Sequence, residues 1–240
     1  MDALEKEFSN FIGVKKTIGV ANGTDAIELS LRAIGIKKGD EVITVSHTAV
    51  ATVAAIEAAG ADPVLVDVDS EYFVLNPEKL EEVLTDKTKA IIVVHLYGQT
   101  AHLEEIKNFC LDNNLILIED VSQAHGSFWG NQRLGSIGDI GCFSCYPTKN
   151  LGAIGDGGLI TTNNLEIAER IKALREYGWM NNRLESKIPG RNSRLDEIQA
   201  SILRVKLKYL DHSNYSRYLI AKNYYSYLSS IEDLELPKQN

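Results

Sequence analysis

The chain has 240 residues, 44% of them hydrophobic and 24% charged, and a formal net charge of −8. That balance belongs to a globular protein with room for a large core, and its acidity argues against nonspecific nucleic-acid binding. No apolar run approaches the roughly 18 residues of a membrane span. The amino-terminal residues 1–6 read as a charged amphipathic helix start rather than a signal peptide. Three cysteines (Cys110, Cys142, Cys145), an odd number, fit a reduced cytoplasmic protein.

In chain order, the spacing predicts a strand over 17–20. A helix over 24–34 follows, with Ile27, Leu31 and Ile34 on one face and Gly35 as its stop. A strand over 41–45, an Ala/Val-rich helix over 48–59 and a strand over 63–68 come next. A helix over 77–84 opens on Pro77. The runs 90–94 and 115–118 are apolar throughout, as a parallel sheet covered on both faces requires. A helix over 103–111 joins them, with His102 exposed beside it. Strands over 140–145 and 159–162 flank a loop centred on Lys149, and 165–176 is an amphipathic helix.

Composition changes near residue 178, where 178–192 reads as a polar surface arm. Ser193-Arg194-Leu195-Asp196 has a capping-box pattern that predicts a helix from there to about residue 208. A Tyr-rich helix carrying an exposed His212 follows, and a strand is expected to begin at 237–240. The whole is expected to be α/β, a three-layer αβα sandwich with a mostly parallel sheet. The division expected is 1–208 for a large domain and 209–240 for the start of a smaller one.

Several stretches can carry chemistry. Gly19-Val20-Ala21-Asn22-Gly23-Thr24-Asp25 is a strand, a tight turn and a helix start, where free N–H groups favour a phosphate; it is also what an ordinary βα loop capped by Thr24 or Asp25 looks like. It has neither the dinucleotide nor the NTPase glycine spacing. Asp120 ends an apolar strand, at the side of an open sheet where ligands bind. It suits the ring nitrogen of pyridoxal phosphate (PLP) or the cap of the segment 122–125. Gln123 and His125 lie close enough in sequence to reach the same ligand.

Lys149 stands in Ser144-Cys145-Tyr146-Pro147-Thr148-Lys149-Asn150-Leu151-Gly152, ahead of Gly155-Asp156-Gly157-Gly158. Turns on both sides suit a lysine that forms a carbon–nitrogen double bond, although most lysines simply face water. Ser144 is placed as a phosphate donor. His47 follows a strand and can stack on a planar ring or merely start a helix. His95, Tyr97 and Gly98 end another strand on the same side. Cys142 and Cys145 form a Cys-x-x-Cys without the second pair a zinc site needs, and read as inward-facing strand residues.

These stretches, with Val94-His95-Leu96-Tyr97-Gly98-Gln99, Glu119 through Gly126 and Asn192 through Ala200, resemble the DegT/DnrJ/EryC1/StrS family of PLP-dependent sugar aminotransferases. As a set, in the family's order, they are specific. The resemblance implies that Lys149 is the Schiff-base lysine, Asp120 the partner of the pyridine nitrogen and Gln123 the partner of the cofactor's phenolic oxygen. Gly23, Thr24, Asp25 and Ser144 would hold the phosphate, and Asn192 would reach the phosphate of a neighbouring subunit in a homodimer.

The family commonly has an aromatic on the cofactor ring directly after a Thr. Here Ala49 follows Thr48, and His47 is the substitute. The implied reaction is transfer of an amino group from glutamate to a nucleotide-linked keto-sugar, a dTDP-keto-6-deoxyhexose, with neither nucleic acid nor membrane as partner. Relatives that dehydrate sugars carry histidine in place of the lysine. An inactive fragment of the same fold is the other alternative, because the family normally has a segment ahead of the first helix and a smaller carboxy-terminal domain.

Overall fold

A computed structural model describes residues 1–180, 185–234, 236 and 238. A seven-stranded sheet has the order β1-β9-β8-β5-β4-β2-β3. Its strands are β1 (Lys16–Val20), β2 (Glu41–Val45), β3 (Asp62–Val66), β4 (Thr88–Val94), β5 (Ile116–Asp120), β8 (Ile140–Ser144) and β9 (Gly158–Thr162). A small hairpin, β6 (Phe128–Trp129) with β7 (Gln132–Arg133), stands apart. Every pairing in the large sheet is parallel except those of β9, which runs antiparallel to both β1 and β8.

The helices cover both faces. On one lie α1 (Asp2–Ile12), α4 (Leu80–Val83), α5 (Leu103–Asp112) and α7 (Glu197–Leu207). They share a core with Ile43, Ile91, Val93, Leu117 and Phe143. On the other lie α2 (Gly23–Ala33), α3 (Val50–Ala59) and α6 (Leu165–Arg175), packed on Ile18, Val42, Ala90, Ile92, Ile118 and Ile160. Successive strand residues therefore enter opposite cores, which is why β4 and β5 read as unbroken apolar runs. Cys142 faces the second core and Cys145 the first, both fully buried. Helix α8 (Leu210–Leu228) follows α7 and is mostly exposed; Leu210 is buried, and Ser213, Asn214 and Leu228 are half-buried.

Several boundaries differ from the sequence reading. The capping box does not open α7. The helix starts at Glu197, and Asp196 makes no side-chain cap. Ser193 is fully buried, and its hydroxyl accepts from Ala21 N at 3.1 Å. Helix α2 is capped by Asn22 and not by Thr24 or Asp25: the Asn22 side chain accepts from Asp25 N at 2.8 Å. The helix over 77–84 is a 3-10 turn, Pro77–Lys79, followed by the single turn of α4. His102 is half-buried as the residue before α5 and pairs with Asp69 at 3.4 Å. Most of the expected strand over 237–240, and residues 181–184 of the arm, lie outside the described residues.

Candidate active site

Because β9 reverses, the connection over 145–157 leaves β8 and re-enters the sheet at the same end. That is the end at which β1, β2, β4 and β5 finish. The loop bearing Lys149 is thus held beside the end of β5, where Asp120 stands, and beside the start of α2. Gly158 makes the last contact close: a Cβ there would lie 2.3 Å from the Asn22 carbonyl oxygen.

Asp120 is buried, and its carboxylate is oriented from two sides. Oδ1 accepts from Ser122 N at 3.1 Å and Oδ2 from the Thr52 hydroxyl at 3.2 Å. Thr52 in turn lies 2.9 Å from the Thr48 hydroxyl. The Ser122 bond makes Asp120 the cap of the turn that follows it. The Thr52 bond also fixes the carboxylate against α3.

The start of α2 leaves the Gly23 and Thr24 N–H groups without partners inside the helix. Gly23 packs on Ser144 so tightly that a Cβ would sit 2.6 Å from the Ser144 Cβ. Ser144 N donates to the Ser122 hydroxyl at 3.1 Å, tying the end of β8 to the Asp120 turn. The Asp25 N–H is engaged by Asn22, and the Asp25 carboxylate pairs with Arg191. Arg191 also reaches Glu28 at 2.7 Å, so the base of the arm is anchored on α2.

Gln123, Tyr97 and His47 form a chain across three strand ends. Tyr97 N donates to Gln123 Oε1 at 3.1 Å, and the Tyr97 hydroxyl bonds His47 Nε2 at 3.2 Å. Tyr97 is held at φ 60°, a left-handed conformation that bulky residues adopt under constraint. His47 meets the Tyr97 ring edge-on at 5.8 Å and approaches Phe73 at 6.3 Å. Lys149, Gln123, Tyr97 and Gly98 open into one cavity of about 1190 Å³, walled on its far side by Tyr215, Tyr218 and Tyr224 of α8. Asn192 is not drawn into this group: it is exposed, bridges backbone-wise to Glu176, and its Oδ1 accepts from Arg194 Nε at 3.0 Å.

Glu119 belongs to the same strand end but faces the other core. It is fully buried and accepts from the N–H groups of Gly135, Ile137 and Gly138 at 2.8–2.9 Å. His95 Nε2 lies 3.1 Å away, and His95 Nδ1 accepts from Ala101 N at 3.2 Å, so the proton sits on Nε2. Sequence reasoning missed this role, and also those of Thr52, Ser122, Asn22 and Arg191. Thr48 and Thr52 at i,i+4, and Ser122 two residues past an aspartate, were the available local signals; Arg191 had none.

The family model for the DegT/DnrJ/EryC1/StrS aminotransferases matches residues 1–240. The chain belongs to this family. A dTDP-3-amino-3,6-dideoxy-alpha-D-galactopyranose transaminase of Aneurinibacillus thermoaerophilus is 50% identical over 230 residues, covering 96% of this chain and 63% of that protein. Among solved structures, the complex of S. venezuelae DesV with a ketimine intermediate superposes with a TM-score of 0.97 at 39% identity, over 100% of this chain and 64% of that one. NtdA from Bacillus subtilis with bound pyridoxamine phosphate gives 0.92 at 34% identity, over 99% and 55%. The chain thus spans 55–64% of the length of these relatives.

The donor set fits a cofactor of the kind NtdA holds. An amine opens into the cavity, a buried carboxylate with a fixed orientation stands at the strand end, and a helix start with free N–H groups packs on a serine.

Proposed function

We propose that this chain carries the cofactor site of a PLP-dependent sugar aminotransferase. The amino donor is an amino acid, glutamate, and the acceptor a nucleotide-linked keto-sugar, a dTDP-linked 3-keto-6-deoxyhexose. The observation that carries the reading is Lys149 opening into the same cavity as Gln123, which lies three residues after the oriented Asp120 carboxylate. The choice of sugar is supported by the sugar for which the 50% identical transaminase is named. Bound here, PLP supplies a carbonyl that accepts nitrogen and a ring that withdraws electrons.

The chain's own residues do the rest. Lys149 would hold the cofactor at rest and, as a free amine, would take the proton from the donor's α-carbon and return one to the sugar carbon that gains nitrogen. The donor carbon is oxidised to a ketone as the sugar carbon is reduced, so no outside oxidant enters. Asp120, steered by Thr52 and Ser122, would hold the ring nitrogen, and Gln123 the phenolic oxygen. Ser144 and the N–H groups of Gly23 and Thr24 hold the phosphate, with Asp25 beside them. His47, tethered by Tyr97, would stack on the ring in place of the missing aromatic at Ala49. Asn192 serves the phosphate of a second subunit in a homodimer; sedimentation as a monomer would remove that role.

No helix among the described residues is long and apolar enough to cross a membrane. With three buried free cysteines, the cytoplasm is the proposed compartment. Purified protein mixed with PLP is expected to develop the visible absorption band of a lysine-bound cofactor, and Lys149→Ala to abolish it. A dTDP-amino-sugar formed only with glutamate, read by mass, tests the transfer. A wild-type protein with no band would sink the reading.

A further inference from the structure

The first turns of α8 hold the Lys149 loop and the turn over 123–126 in one register. The Asn214 side chain bonds to both. Its Nδ2 donates to the His125 carbonyl at 2.7 Å, and its Oδ1 accepts from Asn150 Nδ2 at 2.8 Å. Asn150 is the residue after Lys149. One turn earlier, Asp211 receives Arg133 Nη1 and Nη2 at 3.0 and 2.8 Å, and the same Nη1 donates to the Gly126 carbonyl at 2.9 Å. The Arg133 guanidinium stacks on Phe11 at 3.8 Å and Phe128 at 4.4 Å, so the fork is fixed by packing as well as by hydrogen bonds. Gly126 has φ 85°, and a Cβ there would lie 3.1 Å from Asn214 Nδ2, so the close approach needs glycine.

We propose that Asn214 is a positioning residue for Lys149: its amide sets the lysine loop against the turn that carries Gln123 and His125. The inference rests on the reading of Lys149 as the lysine that bonds the cofactor. Both ends of the amide are used, one as donor and one as acceptor, and neither aspartate nor leucine reproduces that pair. Locally the loop has the Lys149 N bond to the Tyr146 carbonyl at 2.8 Å and the Ala153 N bond to the Cys145 carbonyl at 2.8 Å. Asn150 supplies the side-chain tie to α8. The His125 ring, packed on Phe143 at 5.5 Å, lies in the field of Lys149. A shift of the turn relative to the loop therefore changes the surroundings of the lysine amine.

Two measurements test this. In cofactor-free protein, Asn214→Ala is expected to speed amide hydrogen exchange roughly tenfold in peptides over 146–152 and 123–127, with the rest of the sheet unchanged. With PLP bound, the midpoint of the pH titration of the visible band is expected to move by about half a unit or more. Asp211→Asn, which weakens only the other leg, is expected to act in the same direction and less. Ser216→Ala, on the same helix, is expected to do neither. A parent protein without the band defeats the reading of Lys149. A parent with the band, and an Asn214→Ala variant that leaves either the exchange over 146–152 or the midpoint unmoved, defeats the positioning role alone.

Discussion

His125 and Glu119 are both fully buried, and they respond to acid in different windows. Burial first, and the charge of Lys149 second, hold the His125 pKa down at about 3 against an ordinary 6.5, with the Ser144 backbone a small opposing influence. Between those values the unfolded chain binds a proton that the folded chain refuses. The stability due to a neutral His125 is therefore complete above 6.5 and is lost as pH falls towards 3, at up to about 1.4 kcal/mol per pH unit. For Glu119, burial raises the pKa, but the hydrogen bond from His95 and the N–H groups of Gly135 and Gly138 lower it by more. Its contribution is complete above the ordinary 4.5 and is lost as pH falls through the lowered folded value. Thermal unfolding of His125→Leu should thus show a flatter rise in melting temperature between pH 4.5 and 6.5, with the steeper loss below 4.5 retained. An unchanged slope in the upper window would count against a histidine kept neutral by burial. A histidine five residues past a buried strand is legible in sequence; its missing proton is not, because that depends on Phe143 and Lys149, brought in from 18 and 24 residues further on.

Element starts matter more to this site than element interiors. The apolar periods of α2, β4 and β5 gave their existence and type directly, since each buries one regular set of side chains. Starts were harder. Ser193-Arg194-Leu195-Asp196 has the local pattern of a cap, yet Ser193 turns inward to Ala21 N, 172 residues away in sequence. A long-range bond to an otherwise unsatisfied N–H outweighs a local one that water can replace. Asn22 wins the α2 cap over its neighbours because Gly23 must lie flat on Ser144, so the chain turns one residue earlier. Gly23→Ala is expected to push the start of α2 off Ser144, lowering stability by about 1–3 kcal/mol as overpacking does. It should also weaken PLP retention, because the free N–H groups move away from the serine hydroxyl. Denaturant titration reads the first effect and equilibrium dialysis the second. Full PLP affinity in a destabilised Gly23→Ala would leave the helix start without a part in phosphate binding.

Across the whole molecule, the parallel sheet was legible because strands buried on both faces are apolar at every position. That same property hid the reversal of β9: an antiparallel strand in the middle of such a sheet has an identical composition, and only its pairing with β1 and β8 reveals the direction. The reversal brings the lysine loop back to the end where Asp120 and α2 lie. Charges distant in sequence complete the arrangement. Arg191 Nη2 reaches the carboxylates of Asp25 and Glu28, and Glu28, nearly buried, also pairs with Arg32 at 2.9 Å. Asp25 stands beside the N–H groups proposed to hold the phosphate, so its negative charge is tolerable there only with a cation against it. Removing Arg191 leaves two like charges to meet at one helix start. Arg191→Met is expected to lower stability by about 1.5–3 kcal/mol, as loss of a charged hydrogen bond does. It should also weaken binding of both PLP and inorganic phosphate. Adding Asp25→Asn keeps the backbone N–H and deletes the repulsion, so the double variant should recover phosphate affinity towards wild type while remaining less stable than it. Phosphate inhibition of PLP uptake measures all three proteins on one scale. A single variant that binds phosphate normally, or a double variant that does not recover, would separate the arm's anchor from the anion site.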